Sequence, residues 1–273
     1  MAQLARADDS RLGRWWWSVD HWTLGAVGAL VGAGYIMMLA ATPAVAERIG
    51  STRDAFILKQ VVFLAAAAAI VVGVSMLRPR DIARLAVAGC VAAIALTAAT
   101  MVVGAEIKGA RRWIALPGLS LQPSEFLKPC FAVAAAWLLA ERRKDPRFWG
   151  MSAALGVFAL IVFLLQRQPD VGMMAVIVAV FLAQLYVDGL NIAWIVAAVG
   201  AVGAAAVAAW SMFPHVQDRV ARFWEGKGDD YQVRTALEAF GNGGALGRGP
   251  GEGRVKDVLP DAHADFVYAV MGE

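Results

Sequence analysis

Seven long apolar stretches, separated mostly by short polar connections, dominate the first four fifths of the chain. A helix needs about 20 predominantly apolar residues to cross the hydrocarbon of a bilayer. The apolar residues come in blocks, not in the alternating segments of about ten that are typical of a transmembrane barrel. The pattern therefore predicts an all-α, polytopic integral membrane bundle. The predicted spans are Thr23–Ala46, Val61–Leu77, Leu85–Val103, Phe126–Ala140, Met151–Leu165, Val171–Val187 and Ile192–Phe213.

The pattern changes after the seventh stretch. A polar, Gly-rich segment follows and leads into a short apolar run, Phe266–Met271. We interpret residues 1–20 as an N-terminal tail, 21–212 as spans one to seven, 213–264 as a large loop and 265–273 as the start of an eighth span. Since so few residues follow Asp265, and a span needs at least about 17, we expect the chain to be truncated within a larger membrane protein.

Composition agrees with a membrane protein and excludes an ordinary soluble domain. The chain has 273 residues, of which 59% are hydrophobic and 17% charged, whereas soluble domains carry about 25% charged residues. Placing the N-terminus inside the cell gives the inner connections more Lys and Arg than the short outer ones, which predicts an extracytoplasmic large loop. Cys90 and Cys130 fall in or beside apolar stretches, where we expect them to be small packing residues.

The connection before the fourth span holds the first candidate site residues. Arg112 and Trp113 lie in it, and the following helix can begin with Ser124 as its N-cap and Glu125 in its first turn. Lys128 lies one turn inside the apolar stretch, on the same helix face as Glu125. Two interpretations stay open for this Glu–Lys pair: a role in a substrate cavity, or a purely structural ion pair.

Two further segments fall on the same predicted face. Gln168-Pro169-Asp170 is either a tight turn with a capping aspartate or part of a polar cavity. The Gly-rich run 241–254 lacks the ending of a nucleotide-binding loop. It is either a flexible loop or a backbone that, with Arg248, Arg254 and Lys256, approaches an anionic headgroup such as a pyrophosphate.

Acidic residues and one histidine mark the end of the large loop. Asp257, Asp261, His263 and Asp265 form this cluster, but their spacing matches no strong metal-ligand pattern. Asp265 lies where the aqueous loop meets hydrocarbon, and partial desolvation there raises a carboxylate pKa toward the value that suits a general base. Alternatively, Asp265 is the N-cap of the eighth helix. No cofactor is required by the sequence, although a divalent cation, Mg²⁺ or Mn²⁺, could assist.

Taken together, the motifs resemble the SEDS family of cell-envelope proteins, which includes the FtsW and RodA types, and the division-type FtsW members most of all. The likeness covers essentially the whole chain. It rests on Arg112-Trp113-Ile114, Gln122-Pro123-Ser124-Glu125 with Lys128, Gln168-Pro169-Asp170, Tyr231-Gln232, the Gly-rich run, and Pro260-X-X-His263-X-Asp265-Phe266.

The resemblance implies a ten-span, all-helical glycosyltransferase that polymerises lipid II into peptidoglycan at the outer face of the cytoplasmic membrane. It also implies a class B penicillin-binding transpeptidase as partner, within a division or elongation complex. The family's essential aspartate corresponds to Asp265 and a second acidic position to Asp257, while Ala264 replaces the usual threonine. Two alternative functions stay open: a flippase or transporter for the lipid-linked precursor, and a non-catalytic scaffold.

Overall fold

The computed structural model describes residues 10–48, 52–107, 110–116, 119–212, 217, 221, 231–244, 247–249, 252–259 and 266–273. Eleven helices and three short strands lie within these ranges. The helices are α1 (Arg11–Ser18), α2 (His21–Arg48), α3 (Arg53–Ser75), α4 (Pro79–Val103), α5 (Pro123–Lys144), α6 (Gly150–Arg167), α7 (Val171–Val187), α8 (Ile192–Met212), α9 (Tyr231–Gly243), α10 (Val255–Val258) and α11 (Val267–Gly272). The strands are β1 (Ala105–Ile107), β2 (Ala110–Leu116) and β3 (Leu119–Leu121).

The helix starts follow from local sequence chemistry. Asp20 precedes α2, and its carboxylate accepts from the backbone N–H groups of Trp22 and Thr23 at 3.1 and 3.3 Å. The Thr23 hydroxyl also donates to this carboxylate. Its bond, followed by the backbone bonds, holds the pKa of Asp20 below its ordinary value. Helices α4 and α5 both begin with proline, whose fixed φ suits the first helical position and whose missing N–H costs nothing there.

Each of the seven apolar stretches predicted from the sequence corresponds to one of the helices α2 to α8, which confirms the helical, polytopic fold class; the second stretch extends two residues past α3, and Phe213 lies outside the described residues. Four helices of the described part of the chain hold a segment long and apolar enough to cross a membrane: His21–Leu39, Ile57–Ser75, Pro79–Val103 and Gly150–Arg167. Val171–Val187 and Ile192–Ala204 are apolar but shorter. The division of the chain into seven spans, a large loop and the start of an eighth span stays a prediction.

The chain forms two compact units, of which one comprises Leu77–Val207. Its core lies among α4, α5, α6 and α7. Three phenylalanines from three helices meet there: the ring centroids of Phe158 and Phe181 are 4.6 Å apart, and that of Phe131 lies 5.5 Å from Phe181. Helices α4 and α5 approach closely at Gly89, where an added Cβ would come 2.8 Å from the Cys130 sulfur. Small residues allow such close packing in lipid, and the packing roles predicted for Cys90 and Cys130 agree with it.

The C-terminal ends of α5 and α7 lie at the same end of this unit. The Arg143 Nε atom is 2.6 Å from Asp188 Oδ1, and Arg143 Nη2 donates to the Val187 carbonyl at 2.8 Å. Arg142 Nη1 is 3.5 Å from the other Asp188 oxygen. Since α5 begins at the opposite end, beside the small sheet, its N-terminal and C-terminal turns are fixed by different neighbours.

The second unit comprises Met1–Met76 and Ala208–Glu273. Helix α2 packs on α3, and the indole N–H of Trp15 in α1 donates to the Ser75 hydroxyl at 2.8 Å. A small core joins α9, α10 and α11 through Ala239, Val255 and Ala269. The segment predicted as one large loop therefore contains helical turns within its described residues.

Candidate functional site

The connection between α4 and α5, predicted as a charged loop, forms a three-stranded antiparallel sheet in the order β1-β2-β3. Strand β2 pairs with β1 through Glu106 and Arg111, and with β3 through Ile114 and Leu121. The register shifts between Ala105 and Glu106, which pair with Trp113 and Arg111, so Arg112 is the extra residue of a β-bulge in β2. A bulge bends its strand and re-aims a side chain, and the two neighbouring arginines reach different partners. Arg111 forms an exposed pair with Glu106 at 3.3 Å, whereas Arg112 is directed to the turn between α6 and α7.

Arg112 binds that turn through all three guanidinium nitrogens. Its Nε donates to the Gln168 carbonyl at 2.9 Å, and its Nη2 donates to the Pro169 carbonyl at 2.7 Å. Its Nη1 lies 3.6 Å from Asp170 Oδ2. The carboxylate of Asp170 is mostly buried, and its other oxygen accepts from the Met173 N–H at 3.2 Å. Asp170 therefore caps α7, as predicted from the sequence, and also balances the charge of Arg112.

Gln168 supplies a second connection at the same place. Its side chain is buried, with 2% of its surface exposed. The amide nitrogen donates to the Thr100 hydroxyl at 2.6 Å and reaches the carbonyls of Thr97 and Arg111 at 3.3 and 3.4 Å. One carboxamide thus joins α4, β2 and the α6–α7 turn.

Lys128 and Glu125 lie on the first two turns of α5. The Lys128 ammonium is 2.6 Å from Glu125 Oε2, which confirms the predicted pairing of the two side chains. Their side chains are 35% and 50% exposed, so neither end of the pair is closed off by the described residues and a ligand can reach it. The same helix carries a second pair of the same spacing, Lys144 with Glu141 at 3.0 Å, near its C-terminal end.

The prediction that Ser124 caps α5 is wrong. Helix α5 begins at Pro123, and its N-cap is Gln122, whose side chain makes no capping hydrogen bond to the helix backbone. Proline at the first helical position moves the start of the helix two residues earlier than the serine suggests. Ser124 is instead buried and bonds to the Gln122 amide nitrogen at 3.1 Å. Trp113, half-buried in β2, follows Arg112 directly.

The remaining described candidates belong to the other unit. Arg248 is exposed, and its Nε donates to the Asn242 carbonyl at 3.3 Å. Arg254 occupies the N-cap position of α10, and Asp257 lies in the same helix; both are exposed. Lys256 lies between them in the sequence. Their grouping around an anionic headgroup stays a prediction.

Three predicted residues lie outside the described part of the chain: Asp261, His263 and Asp265, the predicted general base. Within the described ranges, no group of three or more His, Cys, Asp or Glu residues could hold a metal ion. The role of Asp265 and the requirement for a divalent cation therefore stay predictions.

Sequence reasoning missed several polar residues that the fold brings together. Thr97 and Thr100 are fully buried in α4, and their spacing of three residues in an apolar stretch places them on one helix face. That spacing was an available signal for a polar contact. Glu273 is also buried, and its carboxylate accepts from the Val255 N–H at 2.7 Å; no pattern in the sequence indicated this bond.

Comparison with known proteins decides the family. The family model of the FtsW, RodA and SpoVE proteins, described as "Cell cycle protein", matches residues 21–273. The chain belongs to this family. It is 40% identical over 271 residues to a "Probable peptidoglycan glycosyltransferase FtsW" of Caulobacter vibrioides, a match that covers 98% of this chain and 70% of that protein. A protein of the same name from Nitrosococcus halophilus is 33% identical over 263 residues, covering 93% and 68%.

Solved structures of the family share the fold. A chain from the structure titled "Structural coordination of polymerization and crosslinking by a peptidoglycan synthase complex" matches with a TM-score of 0.68 at 26% identity, over 93% of this chain and 70% of that one. The rod shape determining protein RodA of Thermus thermophilus matches with a TM-score of 0.52 at 29% identity, over 64% and 56%. The SEDS resemblance drawn from the motifs is therefore confirmed, and the protein is a membrane protein.

Proposed function

We propose that the protein is a peptidoglycan glycosyltransferase that polymerises lipid II at the outer face of the cytoplasmic membrane. The observation that carries the proposal is the likeness to relatives named as peptidoglycan glycosyltransferases, which covers 98% and 93% of this chain and 70% and 68% of those proteins. A partly exposed lysine near the start of α5, beside the small sheet, supplies a cation for this role.

The reaction that suits these residues is an inverting displacement. The 4-hydroxyl oxygen of lipid II attacks the anomeric carbon of the growing glycan, and the bond from that carbon to the polyprenyl pyrophosphate breaks. Asp265 takes the hydroxyl proton, and the pyrophosphate leaves as an anion. General base catalysis of this kind contributes about 10² to 10⁴ in rate.

Lys128 is the cation that we assign to the leaving pyrophosphate. Its ammonium is balanced by a half-exposed carboxylate on the same helix, and such exposed pairs are worth only about 0–1 kcal/mol. A pyrophosphate therefore displaces Glu125 at little cost, and the cation then stabilises negative charge that develops as the bond breaks. Arg248, Arg254 and Lys256 are further candidates for this role, with Asp257 and His263 beside them in the sequence.

Two variants of one helix test the role of Lys128. Lys128→Gln removes the proposed pyrophosphate ligand, so we expect polymerisation of lipid II to fall at least about 100-fold, the effect of removing one preorganised stabilising group. Lys144→Gln removes a lysine with the same i,i+3 pairing at the other end of α5, and we expect its rate to stay within about two-fold of wild type. Equal loss in both variants would contradict the assignment.

The proposed base has its own test. Asp265→Asn keeps the size of the side chain but removes its basicity, so the polymerisation rate should fall by about 10² or more. A variant that polymerises lipid II at a near-normal rate would show that Asp265 is not the base.

Reconstituted vesicles also separate the alternative functions, since movement of labelled lipid without polymer supports a transporter. A variant that assembles normally but fails to support growth argues against a scaffold.

The partner and the cation requirement are part of the proposal. The match to a chain of a peptidoglycan synthase complex supports a class B penicillin-binding transpeptidase as partner, which co-purification tests. Orientation with a cytoplasmic N-terminus and an extracytoplasmic 213–264 segment follows from the distribution of Lys and Arg. Polymerisation in the presence of a chelator, with Mg²⁺ or Mn²⁺ added back, decides whether a divalent cation assists.

A further inference from the structure

Arg112 was predicted from the sequence as a candidate substrate-binding residue, but its surroundings favour another role. Each guanidinium nitrogen faces a group of the α6–α7 turn, at 2.7 Å, 2.9 Å and 3.6 Å. The side chain is 30% exposed, and its charge is balanced by Asp170, which is only 12% exposed. A planar guanidinium suits such an arrangement, because its donors form a rigid fork that a lysine cannot reproduce.

A second bond runs in the opposite direction between the same two elements. The Arg112 side chain binds the backbone of the turn, while the Gln168 side chain of the turn reaches the backbone carbonyl of Arg111. The two side chains therefore join β2 and the turn reciprocally, and Gln168 also fastens the turn to α4 through Thr100. We call these contacts the Arg112–Gln168 clamp.

The clamp is connected to Lys128 through the sheet. Strand β2 pairs with β3 at Ile114 and Leu121, and α5 begins two residues after β3 ends. Pro123 and Ser124, the first residues of α5, are buried. Fixing β2 against the α6–α7 turn therefore restrains the strand that leads into the helix turns carrying Glu125 and Lys128.

We propose that Arg112 is a positioning residue for glycan polymerisation: it holds β2 on the α6–α7 turn and thereby fixes the start of α5, while Lys128 meets the anion. This inference rests on the proposed function. It predicts a particular kinetic pattern, because a group that only positions the machinery changes turnover more than it changes ground-state binding.

The experiment compares Arg112→Lys, Gln168→Met, the double variant and Lys128→Gln, with kcat and KM measured on equal amounts of folded, monodisperse protein in nanodiscs. We expect Arg112→Lys to lower kcat at least about 10-fold with KM changed less than about three-fold. The double variant should be no slower than the slower single variant, since residues that act as one unit are not additive.

The opposite pattern would overturn the inference. If Arg112 binds the anion itself, Arg112→Lys keeps the charge, raises KM with kcat nearly unchanged, and combines multiplicatively with Gln168→Met. Hydrogen exchange supplies a readout that is independent of activity. Loss of the clamp should speed exchange of the Asp170, Met173 and Met174 amides, which bond within and just after the turn, and unchanged exchange in Arg112→Lys also refutes the clamp.

Failure of the proposed function is distinguishable from failure of the inference. Wild-type protein that makes no polymer, with its transpeptidase partner present, overturns the proposed function. Wild-type protein that polymerises while Arg112→Lys retains full kcat overturns only the positioning role.

Discussion

Replacing Gln168 by glutamate puts an acid where the structure provides hydrogen-bond acceptors. The Gln168 amide nitrogen faces the Thr100 hydroxyl at 2.6 Å and two backbone carbonyls at 3.3 and 3.4 Å, and the side chain is only 2% exposed. In Gln168→Glu, an ionised carboxylate would face the same oxygens. Burial alone raises a carboxyl pKa by up to about 3–5 units.

Arg112 opposes this effect but does not cancel it. Its guanidinium bonds to the Gln168 carbonyl, so a positive charge lies near the new acid and lowers its pKa. That charge, however, is already balanced by Asp170 at 3.6 Å. We therefore expect a net upward shift of about 2 units, which at about 1.36 kcal/mol per unit amounts to about 2.7 kcal/mol.

The sign of the pH dependence follows from linkage. Because the folded-state pKa of the new glutamate is above its unfolded value of about 4.3, the folded state binds more protons in that interval. The stability of Gln168→Glu therefore falls as pH rises from about 4 to about 6 and stays low above it. Between pH 5 and pH 8 the loss is about 2 kcal/mol, or about 4–8 °C in Tm for a chain of this size.

Thermal unfolding in detergent at pH 5 and pH 8 measures this difference. Gln168→Met is the control: it also loses the donor, but it carries no titratable group, so its Tm difference from wild type should be the same at both pH values. If Gln168→Glu shows the same Tm difference from Gln168→Met at pH 5 and pH 8, the side chain is not buried among acceptors and the proposed clamp loses its basis.

Two further predictions concern packing in the same unit. Phe181→Ala removes a ring that is 1% exposed and stacks on Phe158, so it should lower the free energy of unfolding by about 3–5 kcal/mol and lower Tm. Phe163→Ala is the control: the Phe163 side chain is 49% exposed, and its loss should cost far less. In Gly150→Ala the added Cβ would overlap the Leu138 carbonyl oxygen, so the substitution should cost about 1–3 kcal/mol. Gly156→Ala, in the same helix with nothing within 4 Å of the added Cβ, should not lower Tm, and equal Tm values for the two alanine variants would refute the close approach.

The helices could be predicted because their signal is strong and local. Every apolar stretch is longer than a strand needs, and the interruptions carry turn or charged residues, so each stretch forms one helix. The capping role of Asp170 was one of two interpretations that the sequence left open, and it was the local one, since a proline followed by aspartate before an apolar stretch favours a turn with a capping residue. These predictions required no knowledge of how distant parts of the chain meet.

The small sheet could not be read in the same way. Strands β1 and β3 have three residues each, too few for an alternating pattern to stand out. These strands pair only because the connection folds back on itself between the end of α4 and the start of α5. The charged residues Arg111 and Arg112 pointed instead to an exposed loop, because nothing in the sequence shows that one arginine faces solvent and its neighbour faces a turn 56 residues away.

The two Lys–Glu pairs of α5 show why residue types alone do not define a site. Both pairs have the same spacing, and both are short, at 2.6 and 3.0 Å. Lys128 nevertheless has half the exposure of Lys144, 35% against 70%, and it follows buried residues that continue a strand. Lys144 lies beyond Arg143, which closes the other end of α5 onto Asp188. A cation that must meet a developing charge has to be held in place before the reaction begins. Strand β3, which pairs with β2 and leads into α5, and the Arg112–Gln168 clamp together restrain Lys128. Of the two lysines, we therefore expect only Lys128 to affect turnover.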